Sequence, residues 1–364
     1  MSPDSKFYTK SATNYNLGKG FVAPTTYPFN ETTPESYMTV WPVGYPALIA
    51  IFSNLTGFNS FVSSKITNAF FLGLIFILLY YWFGEYSILP ACYFCSFNQL
   101  EIYSYTWSEG VFLFFLLWLL YLLERNLAGK KSSVNLILSI ICLASLPLLR
   151  YAGLIYFFYL ATVVVILFLK KRYLVGKHIS VVLFVSSILV FSYLLNNYFI
   201  SGGFFSGRPR IFPEVESLSI FLKLLFTGIV NELFILRNFY WNWDPLFILM
   251  LLIQLIICYY IFRKKEHLDV DVLKGKKHIL TISSSFFYLI SIFVIRKLSP
   301  FDAFNYRILA PFSTPIFIVL LGNLRYKIER HKYNYFHILI VSFFILSLIM
   351  NLPKKFILSW LGVI

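Results

Sequence analysis

Long apolar runs separated by short polar loops dominate this chain and most constrain its fold. Hydrophobic residues make up 59% of the 364 residues, charged residues make up 13%, and the mean hydropathy is +0.73. A typical soluble domain has about 45–50% apolar and about 25% charged residues, so this much apolar surface has to face lipid. The sequence therefore predicts an all-α, polytopic membrane protein with about ten transmembrane helices. We place the apolar runs at 60–84, 86–104, 106–123, 133–148, 151–169, 178–199, 244–262, 278–296, 308–324 and 335–351.

The basic residues predict the orientation of these helices. With the N-terminus outside, 17 of the 31 Lys and Arg residues fall in cytoplasmic loops at 124–132, 170–177, 263–277 and 325–334, as the positive-inside rule requires. Because these residues form short clusters between apolar runs, the net charge of +15 does not indicate a nucleic-acid partner. The outer loops carry acids, arginines, Trp and Pro, so we expect any chemistry on the outer face.

This topology predicts two regions. Residues 1–59 form an outer-face first loop that includes a juxtamembrane helix at about 43–57, and residues 60–364 form the transmembrane helical domain. The second region carries a further outer loop at 200–243. The residues after Met1 are polar, so we expect no cleavable signal peptide.

Asp4 is the first candidate for chemistry, because it is the only acid before Glu31 and lies in an outer loop. A carboxylate near the membrane surface can act as a general base, or hold a metal ion or a sugar hydroxyl. The alternative is structural, since Asp is a favoured N-cap and could cap a helix over 5–15.

Glu109 and Arg150 are the next candidates, each lying at the predicted outer end of an apolar run. Ionisable groups at such depths are costly and usually face a cavity or a partner. For Glu109 the alternative is an acid that reaches back to the membrane surface. For Arg150 the alternative is a snorkelling side chain, and the apolar residues around it favour the cavity.

Two outer loops contain residues suited to phosphate. The stretch 201–210 is rich in glycine and contains Arg208 and Arg210; backbone amides with guanidinium groups suit a phosphate or diphosphate headgroup. A flexible loop that touches lipid is the alternative. Arg307 begins an apolar run from its outer end and can reach a lipid phosphate. Asp302 could pair with Arg307, or with Arg150 or Arg208, and an ordinary ion pair at the membrane interface is the alternative.

Five segments, all on the predicted outer face, resemble motifs of the GT-C superfamily of lipid-linked glycosyltransferases. The resemblance is to the bacterial branches related to dolichyl-phosphate-mannose-protein mannosyltransferases and to the lipid A aminoarabinose transferase. The segments are Asp4-Ser5-Lys6-Phe7-Tyr8-Thr9-Lys10-Ser11-Ala12 for D-S-x-x-Y-x-x-x-A, Pro42-Val43-Gly44-Tyr45-Pro46 for P-x-G-Y-P, Ser108-Glu109 with Phe112 and Phe114 for S-E-x-x-F-x-F, Arg150-Tyr151 with Gly153 for R-Y-x-G, and Arg307 with Pro311 for R-x-x-x-P.

The resemblance implies an enzyme that moves a hexose or pentose from a polyprenyl-phosphate sugar donor to a lipid, glycan or protein acceptor. In that family the acid of the first loop acts as general base or organises the acceptor, which here is Asp4. The residues implied in donor-phosphate binding are Arg307, Arg208, Arg150 and Arg210. The residues implied in support are Tyr8, Tyr45, Glu109 and Asp302.

The resemblance also implies surroundings and cofactors. It implies a multi-pass protein of the bacterial inner (plasma) membrane, in contact with membrane lipids and with its active site facing outward. It implies no definite cofactor and leaves a divalent metal ion and the acceptor open. Members of the family have a transmembrane helix before the acidic loop, whereas Met1 lies only three residues upstream of Asp4. We therefore expect either a further apolar segment upstream, or a poorly anchored first loop and an inactive chain.

A transporter, flippase or polymerase of lipid-linked sugars is the rival interpretation. In such a protein the same arginines would line a path instead of a reaction centre. Transporters often have paired, broken helices in two related halves, and we find no such halves in the sequence.

Overall fold

Helices make up most of the computed structural model, as the apolar runs predict. The structure describes residues 2–30, 32–130, 132–204, 217–236, 245–263, 278–298, 304–324 and 335–351. The chain divides into two compact units. The first unit comprises 1–78, 103–213 and 280–300, and the second comprises 79–102, 214–279 and 301–364. The predicted division into 1–59 and 60–364 stays a prediction.

The first unit begins with two helices and a small hairpin. Helix α1 spans Pro3–Asn16, strands β1 and β2 span Val22–Pro24 and Glu35–Tyr37, and helix α2 spans Gly44–Thr56. The strands pair antiparallel with Val22 opposite Tyr37. Helix α2 matches the juxtamembrane helix predicted at 43–57, and it ends at Gly57, whose φ of +73° favours glycine. Helix α1 packs against both α2 and β1.

A bundle of longer helices completes the first unit. These helices are α3 (Ser60–Phe83), α6 (Glu109–Leu127), α7 (Ser133–Leu149), α8 (Ile155–Leu169), α9 (Tyr173–Ser201) and α12 (Ile279–Leu298), with a single 3₁₀ segment at Tyr151–Leu154 before α8. In the most apolar 18-residue stretch of α6, 67% is buried inside the protein, whereas in the corresponding stretch of α9 only 22% is buried. Helix α6 is therefore central, and α9 presents an apolar surface suited to lipid.

The second unit contains the other helices. They are α4 (Ile88–Cys92), α5 (Phe97–Ser104), α10 (Leu218–Leu233), α11 (Pro245–Arg263), α13 (Tyr306–Gly322) and α14 (Tyr335–Asn351), with 3₁₀ segments at Gly84–Ser87 and Tyr93–Cys95 flanking α4. Helix α13 packs against α4 and α10, and α14 also packs against α4. Their shared core contains Leu89, Tyr93, Leu236, Ile340 and Phe344.

Five helical segments of the described residues are long and apolar enough to cross a membrane. They are Ser60–Cys95, Glu109–Leu127, Tyr151–Leu169, Tyr173–Ser201 and Ile279–Leu298. Shorter apolar helices lie at Ser133–Leu149, Ile248–Tyr259, Tyr306–Gly322 and His337–Asn351. The all-α membrane class is thus supported by five segments rather than by ten.

One apolar run does not form the helix expected of it. The run at 86–104 folds as α4, a 3₁₀ turn and α5, because the chain turns to an extended conformation at Ser96 (φ −70°, ψ 154°). Beyond this turn the Phe97 amide donates to the Ile235 carbonyl at 2.9 Å. The predicted outer loop at 200–243 also contains a helix, α10, that the sequence analysis did not predict.

Candidate functional site

The acidic motif of the first loop lies on α1, and Ser2 rather than Asp4 caps this helix. The Ser2 hydroxyl accepts a hydrogen bond from the Ser5 amide at 3.2 Å, and Pro3 occupies the first turn. The alternative interpretation of Asp4 as the N-cap is therefore wrong. Asp4 lies in the first turn, where its carboxylate interacts favourably with the helix dipole.

The start of α1 is attached to the start of α6. The Trp107 indole Nε1 donates to the Ser2 hydroxyl at 2.7 Å, and the Tyr8 hydroxyl lies 3.5 Å from the Ser108 hydroxyl. Tyr8 is 2% exposed and Ser108 is 1% exposed. These contacts bring the helix that carries Asp4 beside the segment that begins with Ser108.

Tyr45 joins the same group of residues from α2. Its ring packs edge-on against the Tyr8 ring with centroids 5.2 Å apart, and it is fully buried. The Tyr45 hydroxyl donates to Asn68 Oδ1 at 2.9 Å, and Asn68 Nδ2 donates to the Tyr105 carbonyl at 2.9 Å. Asn68 on α3 thus fixes the position of Tyr45, although no motif in the sequence marks Asn68.

A buried ion pair connects two further motif segments. The Arg150 guanidinium Nη1 lies 3.0 Å from Glu109 Oε1, and the two side chains are 19% and 2% exposed. Glu109 is the first residue of α6 and Arg150 follows the last residue of α7, so each charge opposes the partial charge of its helix end. Glu109 therefore faces a charged partner, which was one of the two interpretations of its sequence position, and its side chain does not reach the surface.

Tyrosines surround this ion pair. The Tyr151 hydroxyl donates to the Thr39 carbonyl at 2.9 Å, which attaches the stretch between β2 and α2 to the 3₁₀ segment before α8. Tyr288 on α12 is close enough to interact electrostatically with both Arg150 and Glu109, and its ring stacks on that of Tyr156. Tyr156 and Tyr288 were not predicted, because nothing in their apolar runs distinguishes them from membrane-facing aromatic residues.

Four of the five motif segments thus meet within the first unit. We call the group Tyr8, Tyr45, Ser108, Glu109, Arg150 and Tyr151 the motif cluster. The contacts that join it also attach the first loop to the helices of this unit, together with a 2.8 Å contact between the Thr13 and Ser60 hydroxyls. Residues within 2–30 and 32–59 are therefore attached to this unit, which contradicts the expectation of a poorly anchored first loop.

Two motif glycines allow the backbones in this region to approach closely. A Cβ atom added at Gly44 would lie 2.8 Å from the Leu148 carbonyl carbon, and one added at Gly153 would lie 2.6 Å from the Pro147 nitrogen. Both neighbours are backbone atoms, which cannot move aside as a flexible side chain can. Gly44 therefore lets α2 rest on the end of α7, directly before Arg150.

Replacing Gly44 by Ala is expected to destabilise the protein by about 1–3 kcal/mol, the range for overpacking. The measurement is the free energy of unfolding in detergent micelles. Gly73→Ala on α3 is the matched control, because nothing lies within 4 Å of a Cβ atom added there. The control should be neutral or stabilising by up to about 1 kcal/mol. Equal effects of the two substitutions would contradict the close approach at Gly44.

A cavity of about 280 Å³ lies beside the first loop. Its walls are Phe7, the extended stretch that leads from β2 to Trp41, and the end of α9 at Ile200 and Ser201. Burial raises the pKa of Tyr37 in this wall, so its hydroxyl stays protonated and can donate a hydrogen bond at neutral pH. Aromatic faces with polar backbone groups suit a ligand that has both apolar faces and hydroxyl groups.

The remaining predicted residues do not all fall within the described parts of the chain. Arg307 lies in the first turn of α13 in the second unit, where the neighbouring Tyr306 hydroxyl donates to Glu101 Oε2 at 3.3 Å. Arg208, Arg210 and Asp302 lie outside the described residues. The expected convergence of Arg150, Arg208 and Arg307 on one cavity stays a prediction.

Metal ligands of the usual types do not cluster in the described parts of the chain. No group of three or more His, Cys, Asp or Glu side chains comes together there. The cysteines Cys92, Cys95, Cys142 and Cys258 are free thiols, and Cys142 is fully buried. The requirement for a divalent metal ion stays open.

No protein-family model matches this chain, and no curated protein or solved structure matches it either.

Proposed function

We propose that this protein is a membrane glycosyltransferase that moves a sugar from a polyprenyl-phosphate donor to an acceptor at the outer face. One observation carries the proposal: motif segments that are far apart in the sequence lie together in the motif cluster. The Tyr8–Ser108 contact joins residues 100 positions apart, and the Arg150–Glu109 pair joins residues from two different helix ends. The order of the motifs along the chain and their convergence both support this function.

The chemistry assigns a role to each charged residue. In the transfer, the bond between the sugar C1 and the phosphate oxygen breaks while a bond from C1 to the acceptor oxygen forms. Polyprenyl phosphate leaves with the negative charge, which Arg150 stabilises through its N–H donors. Glu109 holds the guanidinium in place, and the Asp4 carboxylate takes the proton from the acceptor hydroxyl.

The acceptor is proposed to enter from the cavity of about 280 Å³ beside the first loop. Phe7 lines this cavity and packs against Trp41 with ring centroids 5.0 Å apart. Phe7 also lies on α1, one turn beyond Asp4, so the cavity and the proposed base share a helix.

The proposal is tested by transfer in a reconstituted system. Purified full-length protein in lipid nanodiscs receives short-chain polyprenyl phosphates that carry a labelled hexose or pentose, with membrane lipid and glycan extracts as acceptors. We expect acceptor-dependent release of polyprenyl phosphate from at least one donor. Glu35→Gln serves as a control variant with full activity, since Glu35 forms a surface ion pair with Lys10. In a parallel assay in sealed proteoliposomes, translocation of intact donor without release of polyprenyl phosphate would favour the transporter alternative.

The proposed ten-span topology places the first loop outside and the basic loops inside. In a cysteine-free background, Thr26→Cys and Ser133→Cys place single thiols at exposed positions in the first loop and at the start of α7. A membrane-impermeant maleimide added to intact cells is expected to label position 26 and to label position 133 only after permeabilisation. Labelling in the opposite pattern would contradict the outward-facing site.

A further inference from the structure

The second unit contains a group of buried polar side chains that the proposed transfer reaction does not use. We call it the oxygen ring: Asn98, Gln99, Glu232, Ser313 and Thr314. Asn98 and Gln99 lie on α5, Glu232 on α10, and Ser313 and Thr314 on α13. Each is at most 3% exposed. Buried polar groups on apolar helices are costly, so their grouping on three helices calls for a physical cause.

Hydrogen bonds connect the ring side chains. The Ser313 hydroxyl donates to Glu232 Oε2 at 2.5 Å, and Gln99 Nε2 donates to the Thr314 hydroxyl oxygen at 2.8 Å. Asn98 Nδ2 donates to the Asn231 carbonyl at 3.1 Å, directly beside Glu232, and the Asn98 amide also faces the Glu232 carboxyl. Ser313 and Thr314 are neighbours on α13, and Asn98 and Gln99 are neighbours on α5. The bond to Glu232 and the bond to Gln99 are therefore linked through these two helices, and the five side chains form one group.

These hydrogen bonds use N–H donors of the Asn98 and Gln99 amides, and three acceptor oxygens of the group remain without a hydrogen bond in the part of the chain that the structure describes. Glu232 Oε1, Asn98 Oδ1 and Gln99 Oε1 are buried and have no hydrogen-bond partner among the described residues. Three acceptor oxygens cannot satisfy one another. A single proton on Glu232 can satisfy at most two of them, and each buried acceptor left over costs about 1–3 kcal/mol.

We propose that the oxygen ring binds a monovalent metal cation of the Na⁺ class. A cation held among these side chains would supply the partner that the acceptor oxygens lack. The nearby hydroxyls of Ser313, Thr314 and Tyr93 offer further ligands. Protein oxygens in broken or proline-containing helices bind Na⁺ in membrane proteins, and α13 contains Pro311 and Pro315 on either side of Ser313 and Thr314.

Charge balance favours a monovalent ion over a divalent one. Glu232 is the single carboxylate of the ring, and neither of the two ion pairs found among the described residues involves it. A monovalent cation neutralises this carboxylate, whereas a divalent cation would leave one buried positive charge without a partner.

The test measures the melting temperature of the purified full chain in detergent at constant ionic strength. NaCl or KCl replaces choline chloride stepwise from 1 to 300 mM. A cation that binds only the folded state is expected to raise the Tm by about 2–5 °C across this range. Glu232→Gln should abolish the increase, and the matched surface variant Glu35→Gln should retain it.

Each outcome decides the proposal. A Tm that depends on Na⁺ or K⁺ in the wild type and not in Glu232→Gln supports it. A Tm that is the same in choline, Na⁺ and K⁺ overturns it, and so does an equal cation effect in Glu232→Gln. If Glu232→Gln does not fold, Gln99→Glu provides a second comparison, because a second carboxylate should shift the preference from Na⁺ to Ca²⁺. An unchanged preference in Gln99→Glu would contradict the site.

Discussion

Replacing Asp4 by Asn is expected to lower the rate of sugar transfer by about 10²–10⁴-fold, the range for loss of a general base. Asn preserves the shape of the side chain and removes its basicity. Donor binding should change little, because we assign the donor phosphate to Arg150. The measurement is the rate of polyprenyl phosphate release at saturating donor, with the dissociation constant of the donor determined separately.

Stability has to be measured alongside, because Asp4 also lies in the first turn of α1. Losing its charge there costs about 0.3–1 kcal/mol through the helix dipole, which is too little to unfold α1. Glu35→Gln provides the control for removing an acid from the first loop. If Asp4→Asn transfers sugar at the wild-type rate, Asp4 only supports the helix and the proposed mechanism is wrong.

Replacing Glu109 by Ala is expected to destabilise the protein by about 3 kcal/mol, since the change leaves the Arg150 charge without its buried partner. The estimate is at the lower end for buried pairs, because the Arg150 side chain is 19% exposed. The measurement is the free energy of unfolding in detergent. Breaking the Lys10–Glu35 pair with Glu35→Gln should cost at most about 1 kcal/mol, since those side chains are 41% and 25% exposed.

A double variant separates stability from function at this ion pair. Glu109→Leu combined with Arg150→Met replaces both charges by apolar groups, so much of the lost stability should return. Sugar transfer should remain abolished, because the donor phosphate then lacks the guanidinium group. A stable double variant with wild-type transfer would mean that the pair is purely structural and that Arg150 does not bind the donor.

Local sequence patterns predicted many of the helices well. The apolar run at 60–84 corresponds to α3 at Ser60–Phe83, and the Pro- and Gly-rich start at 43–57 corresponds to α2 at Gly44–Thr56. In these segments, hydrophobicity and turn residues act over a few neighbouring positions. Such local signals remain readable without knowledge of the rest of the fold.

Long-range contacts explain what the sequence analysis missed. The break after Cys95 depends on a bond from the Phe97 amide to the Ile235 carbonyl, and no local pattern at 86–104 reveals that partner. Helix α10 lies in the stretch 200–243, which was predicted as an outer loop, and it carries the acid Glu232 near its end. The structure buries this carboxyl against Ser313 on α13.

The candidate site was predictable in its residue types but not in its pairings. Motif order pointed to Tyr8, Tyr45, Glu109 and Arg150, and the structure brings these four together. Asp302 was considered as a partner of Arg307, Arg150 or Arg208, whereas the pairing of Arg150 with Glu109 was not predicted. Two oppositely charged residues 41 positions apart give no signal of contact, since helix packing alone decides which ends meet.

Photo-crosslinking shows whether the donor phosphate binds at the motif cluster. A polyprenyl-phosphate sugar with a photoreactive group next to its phosphate is irradiated with the purified protein, and the adducts are mapped by mass spectrometry. We predict adducts in the segments that build the cluster, above all 105–112 and 146–156, and their loss when unlabelled donor competes. Adducts confined to segments outside the cluster, such as α14, or insensitive to competing donor, would contradict the account.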